Sequence, residues 1–192
     1  MSSAVSVGEP AARVVSGGET LWFLGTLARM KLEGHDTGGR FALWENVLPH
    51  GASPPLHSHP QDETFYVLEG ELTVWVVEPE LADAADDPAA WVSSRARRCG
   101  PGTVMFAPGG TPHTFRVESD TARVLVISTP AGIEDMVRGL AEPARWPWLQ
   151  PPPDGPRVSA ERMASVERET GMIRYAPPPP AARTERDAAA AS

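Results

Sequence analysis

The stretch that decides the fold runs from Gly51 to Gly70 and reads GASPPLHSHPQDETFYVLEG. Within it, His57, His59 and Glu63 follow one another at steps of two and four residues. Side chains of an extended strand alternate between two faces, so we expect these three to point the same way. Two imidazoles and a carboxylate on one side of a strand make half of a metal site.

A second stretch supplies the rest of that site. Residues Gly102 to His113 read GTVMFAPGGTPH, which predicts a strand, a Pro-Gly-Gly turn and a histidine that opens the next strand. If the two strands lie side by side, His113 supplies a fourth ligand. Three neutral imidazoles and one carboxylate would hold one divalent transition metal, and iron, manganese, nickel, cobalt, copper and zinc all accept these ligands.

The two stretches resemble the paired motifs of the cupin superfamily. The first motif, G-x5-H-x-H-x3-E-x6-G, is matched at every fixed position. The second, G-x5-P-x-G-x2-H-x3-N, is matched at all but the last, where Val117 stands in place of asparagine. The resemblance implies an all-β fold, a single cupin β-barrel of the double-stranded β-helix or jelly-roll type, followed here by C-terminal helices. It also implies that the metal ligands are His57, His59, Glu63 and His113.

The alternative is that these are ordinary surface or core histidines. The chain has five histidines, of which three fall on motif positions, whereas His35 and His50 do not. We interpret those two as loop residues. A complete set of ligands at the motif positions favours metal binding over this alternative.

Composition limits the possible partners. The 192 residues carry a formal net charge of −8, which argues against nucleic acid or an anionic membrane as a partner. The single cysteine, Cys99, excludes an internal disulfide and fits a reducing compartment. No charged-then-apolar leader opens the chain and no apolar run is long enough to span a bilayer, so a cytoplasmic protein is expected.

The amino-acid composition along the chain predicts four regions. Residues 1–18 are expected to form an N-terminal arm, 19–130 the barrel, 131–175 a helical extension packed on the barrel, and 176–192 a disordered tail. The acidic, alanine-rich run 78–90 is interpreted as a solvated loop between the motifs rather than a lid.

Short segments of strand-forming residues punctuated by glycine and proline predict the barrel strands. In the C-terminal extension, residues 132–141 have apolar positions at helical spacing. A second helix is predicted over 159–170, with Ser159 as its N-cap and Gly171 as its stop. The predicted strands are 19–28 with a continuation to 32, 41–47, 63–68, 71–77, 91–98, 103–107, 113–117 and 122–129.

The barrel interior is expected to be apolar. By strand alternation, Phe65 and Val67 share the face of Glu63, and Phe115 shares the face of His113. Core packing is the alternative for any one of these residues. Together they favour an aromatic or polyketide-like substrate over a sugar phosphate, because the motifs contain no basic residue placed to bind phosphate. Phe41 and Phe106 are expected to complete the substrate pocket.

Among cupins, the layout is most similar to the small single-barrel proteins that resemble quercetin 2,3-dioxygenase. That resemblance implies oxygen-dependent ring cleavage of a flavonol-like enolate, with Glu63 as the proton acceptor and dioxygen as the co-substrate. Related single barrels act instead as polyketide cyclases, as isomerases or as small-molecule-binding proteins without turnover. The resemblance and the apolar barrel faces also predict a homodimer.

Overall fold

The computed structural model describes residues 9–78, 96–144 and 158–179. Within these ranges the chain forms twelve strands and three helices. The strands are β1 (Thr20–Phe23), β2 (Thr26–Leu32), β3 (Ala42–Pro49), β4 (Leu56–Ser58), β5 (Asp62–Glu69), β6 (Leu72–Val76), β7 (Arg97–Cys99), β8 (Val104–Ala107), β9 (His113–Val117), β10 (Thr121–Thr129), β11 (Glu142–Pro143) and β12 (Ile173–Ala176). The helices are α1 (Gly34–Thr37), α2 (Glu134–Leu140) and α3 (Ala160–Thr170).

The strands form two antiparallel sheets, which confirms the predicted all-β fold. The first sheet has the order β11-β1-β2-β3-β10-β5-β8, and the second has the order β12-β4-β9-β6-β7. Strands β3 and β10 alternate between buried and partly exposed residues, as expected when one face of a sheet covers a core. Their buried side chains, with those of β5 and β6, form the main core; it includes Trp44, Val67, Val74, Val124 and Val126.

The turn that joins β5 to β6 is held by Gly70. This residue has a φ of 80°, a left-handed conformation that glycine adopts at little cost. A Cβ placed on Gly70 would lie 2.3 Å from the carbonyl oxygen of Thr121 and 2.8 Å from the Cα of Ala122. The turn therefore packs directly against the backbone where β10 begins, and no side chain fits between them.

The single strand predicted over residues 19–28 is wrong, because the chain turns in the middle of it. β1 and β2 pair as an antiparallel hairpin across Leu24 and Gly25, with Phe23 opposite Thr26. Both turn residues have positive φ angles, 49° for Leu24 and 85° for Gly25. Two-residue hairpin turns favour this backbone shape, but a leucine in the first position is not among their usual signals.

The C-terminal segment adds a strand as well as helices. In α3, the N-cap and stop predicted from the sequence are confirmed: Ser159 Oγ accepts a hydrogen bond of 3.1 Å from the Arg162 N–H, and Gly171 has a φ of 72°. Beyond it, β12 pairs with β4 at the edge of the second sheet. Because β12 ends at the buried residue Ala176, the prediction that a disordered tail starts at residue 176 is wrong at its first position.

Some predictions lie outside the described residues. They concern the arm over residues 1–8, nearly all of the loop 78–90, the first part of the strand 91–98, and the tail from residue 180. Within the described ranges, none of the helices has the length and hydropathy needed to cross a membrane. The homodimer stays a prediction.

Candidate metal centre

The four residues of the predicted ligand set come from both sheets. His57 lies in β4 and His113 is the first residue of β9, and the two are direct partners in the pairing of these strands. His59 follows β4 immediately, and Glu63 is the second residue of β5 in the other sheet. One nitrogen or oxygen atom from each residue lies within 4.8 Å of the others. The fold therefore brings together three imidazoles and one carboxylate that are separated by up to 56 positions in the sequence.

Glu63 lies at the centre of this group. Its Oε2 atom is 2.9 Å from His113 Nε2 and 3.3 Å from His59 Nε2. The ring of His57 completes the group, with its centroid 4.6 Å from that of His113 and 5.8 Å from that of His59. All four side chains are buried. A buried cluster of this composition fits one divalent transition metal ion, because imidazole nitrogen and carboxylate oxygen are its usual ligands.

Backbone carbonyls orient two of the histidines. The Nδ1–H group of His57 donates to the Pro55 carbonyl at 2.8 Å, and that of His113 donates to the Thr111 carbonyl, also at 2.8 Å. A carbonyl only accepts, so these bonds place the proton on Nδ1 and leave the Nε2 lone pair for a metal. Nδ1 of His59 is buried without a hydrogen-bond partner in the described part of the chain.

Burial and mutual contact shift the pKa values in this group. Burial, reinforced by the nearby His113, lowers the pKa of His57 to about 3, so this imidazole stays neutral as metal binding requires. Burial alone would raise the pKa of Glu63, but hydrogen bonds from His113 and His59 outweigh it and lower that pKa. Burial would also lower the pKa of His113, but the Glu63 carboxylate raises it. A proton and a metal ion would therefore compete for Nε2 of His113.

The turn of the second motif holds the loop that carries His59. Gly109 N–H donates to Asp62 Oδ1 at 2.7 Å, and Gly110 N–H donates to the His59 carbonyl at 2.8 Å. A Cβ on Gly109 would lie 2.2 Å from the Pro60 carbonyl oxygen, so only glycine allows this approach. The role of Asp62 was not predicted, because it occupies a variable position of the first motif.

A largely apolar cavity of about 290 Å³ opens beside the group. Three of the candidate ligands, His57, His59 and Glu63, form part of its wall. Phe65 and Phe115 line it as well, with their ring centroids 5.6 Å apart and their planes at 60°. The volume lies at the small end of the range for ligand pockets, about 300–1,000 Å³.

The other predicted pocket residues lie elsewhere. Val67 is buried deeper, beside a much smaller void that it shares with Met105. The prediction for Phe106 is wrong: it is 54% exposed and pairs with Thr64 on the outer side of β5, whereas Met105 faces inward. Phe41 lies just before β3, is partly exposed and is not among the residues that line the cavity, which contradicts its predicted place in the pocket.

Much of the cavity wall comes from residues outside the motifs, which the sequence did not reveal. The β1–β2 turn contributes Leu24, and the C-terminal segment contributes a group of apolar side chains and one ion pair. Arg174 on β12 is the strand partner of His57, and its guanidinium donates to the Glu167 carboxylate. The apolar members of the C-terminal group are Ile133, Met136, Val137, Leu140, Met163 and Met172.

Comparisons with known proteins agree with the fold. The family described as "Cupin domain" matches residues 44–129, a range that contains both motifs. Quercetin 2,3-dioxygenase from Bacillus subtilis (strain 168) is 27% identical over 109 residues, which cover 56% of this chain and 28% of that protein. The chain therefore matches less than a third of this relative's length.

Solved structures give weaker likenesses. The polyketide cyclase RemF from Streptomyces resistomycificus is 27% identical, with a TM-score of 0.43 over 67% of this chain and 80% of that one. An RmlC-like cupin from Shewanella frigidimarina NCIMB 400 is 18% identical, with a TM-score of 0.46 over 62% of this chain and 93% of that one. At these TM-scores neither likeness bears on function. Both motifs lie inside the matched range and their candidate ligands converge in the structure, so residues 44–129 of this chain are similar to the cupin domain family.

Proposed function

We propose that this chain is a metal-dependent dioxygenase that acts on a flavonol-like or other enolisable aromatic small molecule. The observation that carries the proposal is the placement of three imidazoles and one carboxylate in the wall of an apolar cavity. Structural zinc sites are closed by their ligands, whereas a site beside a cavity leaves room for substrate. The 27% identity to a quercetin 2,3-dioxygenase supports the choice of reaction.

The ligands in this proposal are His57, His59, Glu63 and His113. A divalent ion held by them would supply Lewis acidity, which acidifies a substrate hydroxyl beside it and, with a redox-active metal, supports chemistry with dioxygen. The fixed Nδ1 protons of His57 and His113 keep both rings turned so that Nε2 faces the centre. A rigid, pre-oriented set of this kind loses little freedom on binding the ion.

Glu63 accepts the substrate proton in this proposal. Its pKa is lowered, so the carboxylate is ionised across the physiological pH range. Both of its hydrogen bonds to histidine use Oε2, which leaves Oε1 for a hydroxyl of the substrate. Phe65 and Phe115 provide an aromatic surface against which a flat substrate ring packs. The two rings also exclude water from the bound substrate.

Oxygen dependence tests the proposed reaction. We expect metal-reconstituted protein to consume quercetin or 3-hydroxyflavone in air and to leave it unchanged under nitrogen. Glu63→Gln should keep part of its metal and lose most of its turnover, by about 100-fold, because an amide does not accept the proton. The measurement is substrate loss by absorbance with oxygen uptake recorded in parallel.

The matched control is Glu69→Gln, which changes an exposed carboxylate at the other end of β5 and should leave turnover intact. Equal rates with and without oxygen would exclude the oxygenase and favour a cyclase or isomerase. Saturable binding without substrate loss in either gas would favour a binding protein.

A further inference from the structure

One wall of the cavity carries a buried amide among apolar side chains. Asn46 points inward from β3 between Trp44 and Leu48, and all three line the cavity. Asn46 is only 8% exposed, and its Oδ1 atom has no hydrogen-bond partner in the described part of the chain. Among the described residues, no hydrogen bond therefore accounts for the Oδ1 atom at this position.

The absence of a partner is unusual for a buried polar group, since the large majority are hydrogen-bonded. Thr114, which is completely buried, donates to the Pro54 carbonyl at 2.7 Å. Ser53, which lines the same cavity, donates to the Phe115 carbonyl at 2.6 Å. On β3, by contrast, Trp44 Nε1 also lacks a partner among the described residues. Two successive inward positions of β3 thus carry a buried polar atom without a partner; the other such atoms of the described residues are His59 Nδ1, Gln61 Oε1 and Ser128 Oγ.

This wall lies away from the metal centre. Strand β10 separates β3 from β5, so the two strands are about 10 Å apart. Through β10, Asn46 is level with Val67, four residues along β5 from Glu63, which adds about 13 Å along the strands. A ligand that contacts both Glu63 and Asn46 must therefore be longer than a single ring.

We propose that Asn46 determines specificity by hydrogen-bonding a hydroxyl group at the end of the ligand far from the metal centre. The amide offers both donor and acceptor, and turning it by 180° exchanges the two without changing its shape. A hydroxyl is the matching group, because it also both donates and accepts. This inference rests on the proposed function, in that the ligand occupies the cavity beside the metal ligands.

A pair of ligands that differ by one hydroxyl tests the proposal. We expect metal-loaded wild-type protein, under nitrogen, to bind 3,4′-dihydroxyflavone about tenfold more tightly than 3-hydroxyflavone. Asn46→Leu should bind the two compounds with equal affinity. Ser53→Ala is the control, because it removes a hydroxyl from the same cavity that already donates its hydrogen bond to the Phe115 carbonyl. The tenfold preference should therefore remain in this variant. A preference that survives in Asn46→Leu would overturn the proposal.

A second measurement does not depend on the ligand. If Asn46 is kept for a ligand, Asn46→Leu should unfold at the same or a higher urea concentration than wild type, because the described residues lose no hydrogen bond to its Oδ1 atom. Thr114→Val, which does lose such a bond, should unfold at a lower concentration. If neither flavone binds wild-type protein, the flavonol class is wrong, and this measurement alone decides the role of Asn46. A loss of stability in Asn46→Leu would then assign the amide a structural role and overturn the inference.

Discussion

Replacing His57 and His113 together by alanine is expected to reduce the metal content from about one ion per chain to background. The two residues are direct partners across β4 and β9, and both offer Nε2 to the same centre. Loss of two ligands leaves His59 and Glu63, which is too few for tight binding. We expect the affinity to fall by more than about 100-fold, because changes in outer-shell partners alone cost about 10- to 100-fold.

The measurement is elemental analysis after metal loading and desalting. The matched control is the double change His35→Ala and His50→Ala, which removes two histidines that lie outside the candidate ligand group. That variant should retain the wild-type metal content. One ion per chain in the variant without His57 and His113 would contradict the assignment of the site.

Gly70→Ala is expected to destabilise the fold by about 3 kcal/mol or more, which for a marginally stable domain is a large fraction of the total. Two effects add at this position. The φ of 80° is unfavourable for any residue with a Cβ, and the new methyl group would overlap the Thr121 carbonyl oxygen and the Cα of Ala122. Backbone atoms have little freedom to move aside, so the β5–β6 turn must shift away from β10.

Gly51→Ala separates the two effects. Gly51, at the other end of the first motif, has a φ of 74° but open space where a Cβ would lie. It should therefore lose only about 1 kcal/mol, the cost of the backbone conformation. Urea unfolding of the two variants beside wild type gives the comparison. Equal losses would show that packing against β10 contributes nothing.

The sequence predicted the parts of the site that depend on short spacing. The alternation along β5 from Glu63 correctly predicts that Phe65 faces inward. The side-chain signals that end α3 were equally local, because Ser159 and Gly171 act on the backbone next to them. Patterns of this kind are readable because the geometry of one element fixes them.

Orientation could not be predicted where no residue of known direction lay on the strand. β8 carries no metal ligand, so its alternation could be assigned either way, and Phe106 was placed inside when Met105 is the inward residue. The contribution of Arg174 to the cavity was not predictable either. It depends on β12 pairing with β4 across more than a hundred residues of sequence, and no local pattern indicates that pairing.

Two stretches of the chain form the cavity, and they contribute different kinds of residue to it. Residues 44–129 supply the candidate ligands, while α2, α3 and β12 supply much of the surface that a ligand would touch. Three methionines, Met136, Met163 and Met172, line this part of the cavity. Their flexible side chains repack readily around ligands of different shape. The range of ligands that the cavity accepts can therefore change through substitutions in the C-terminal segment while the candidate metal ligands stay unchanged.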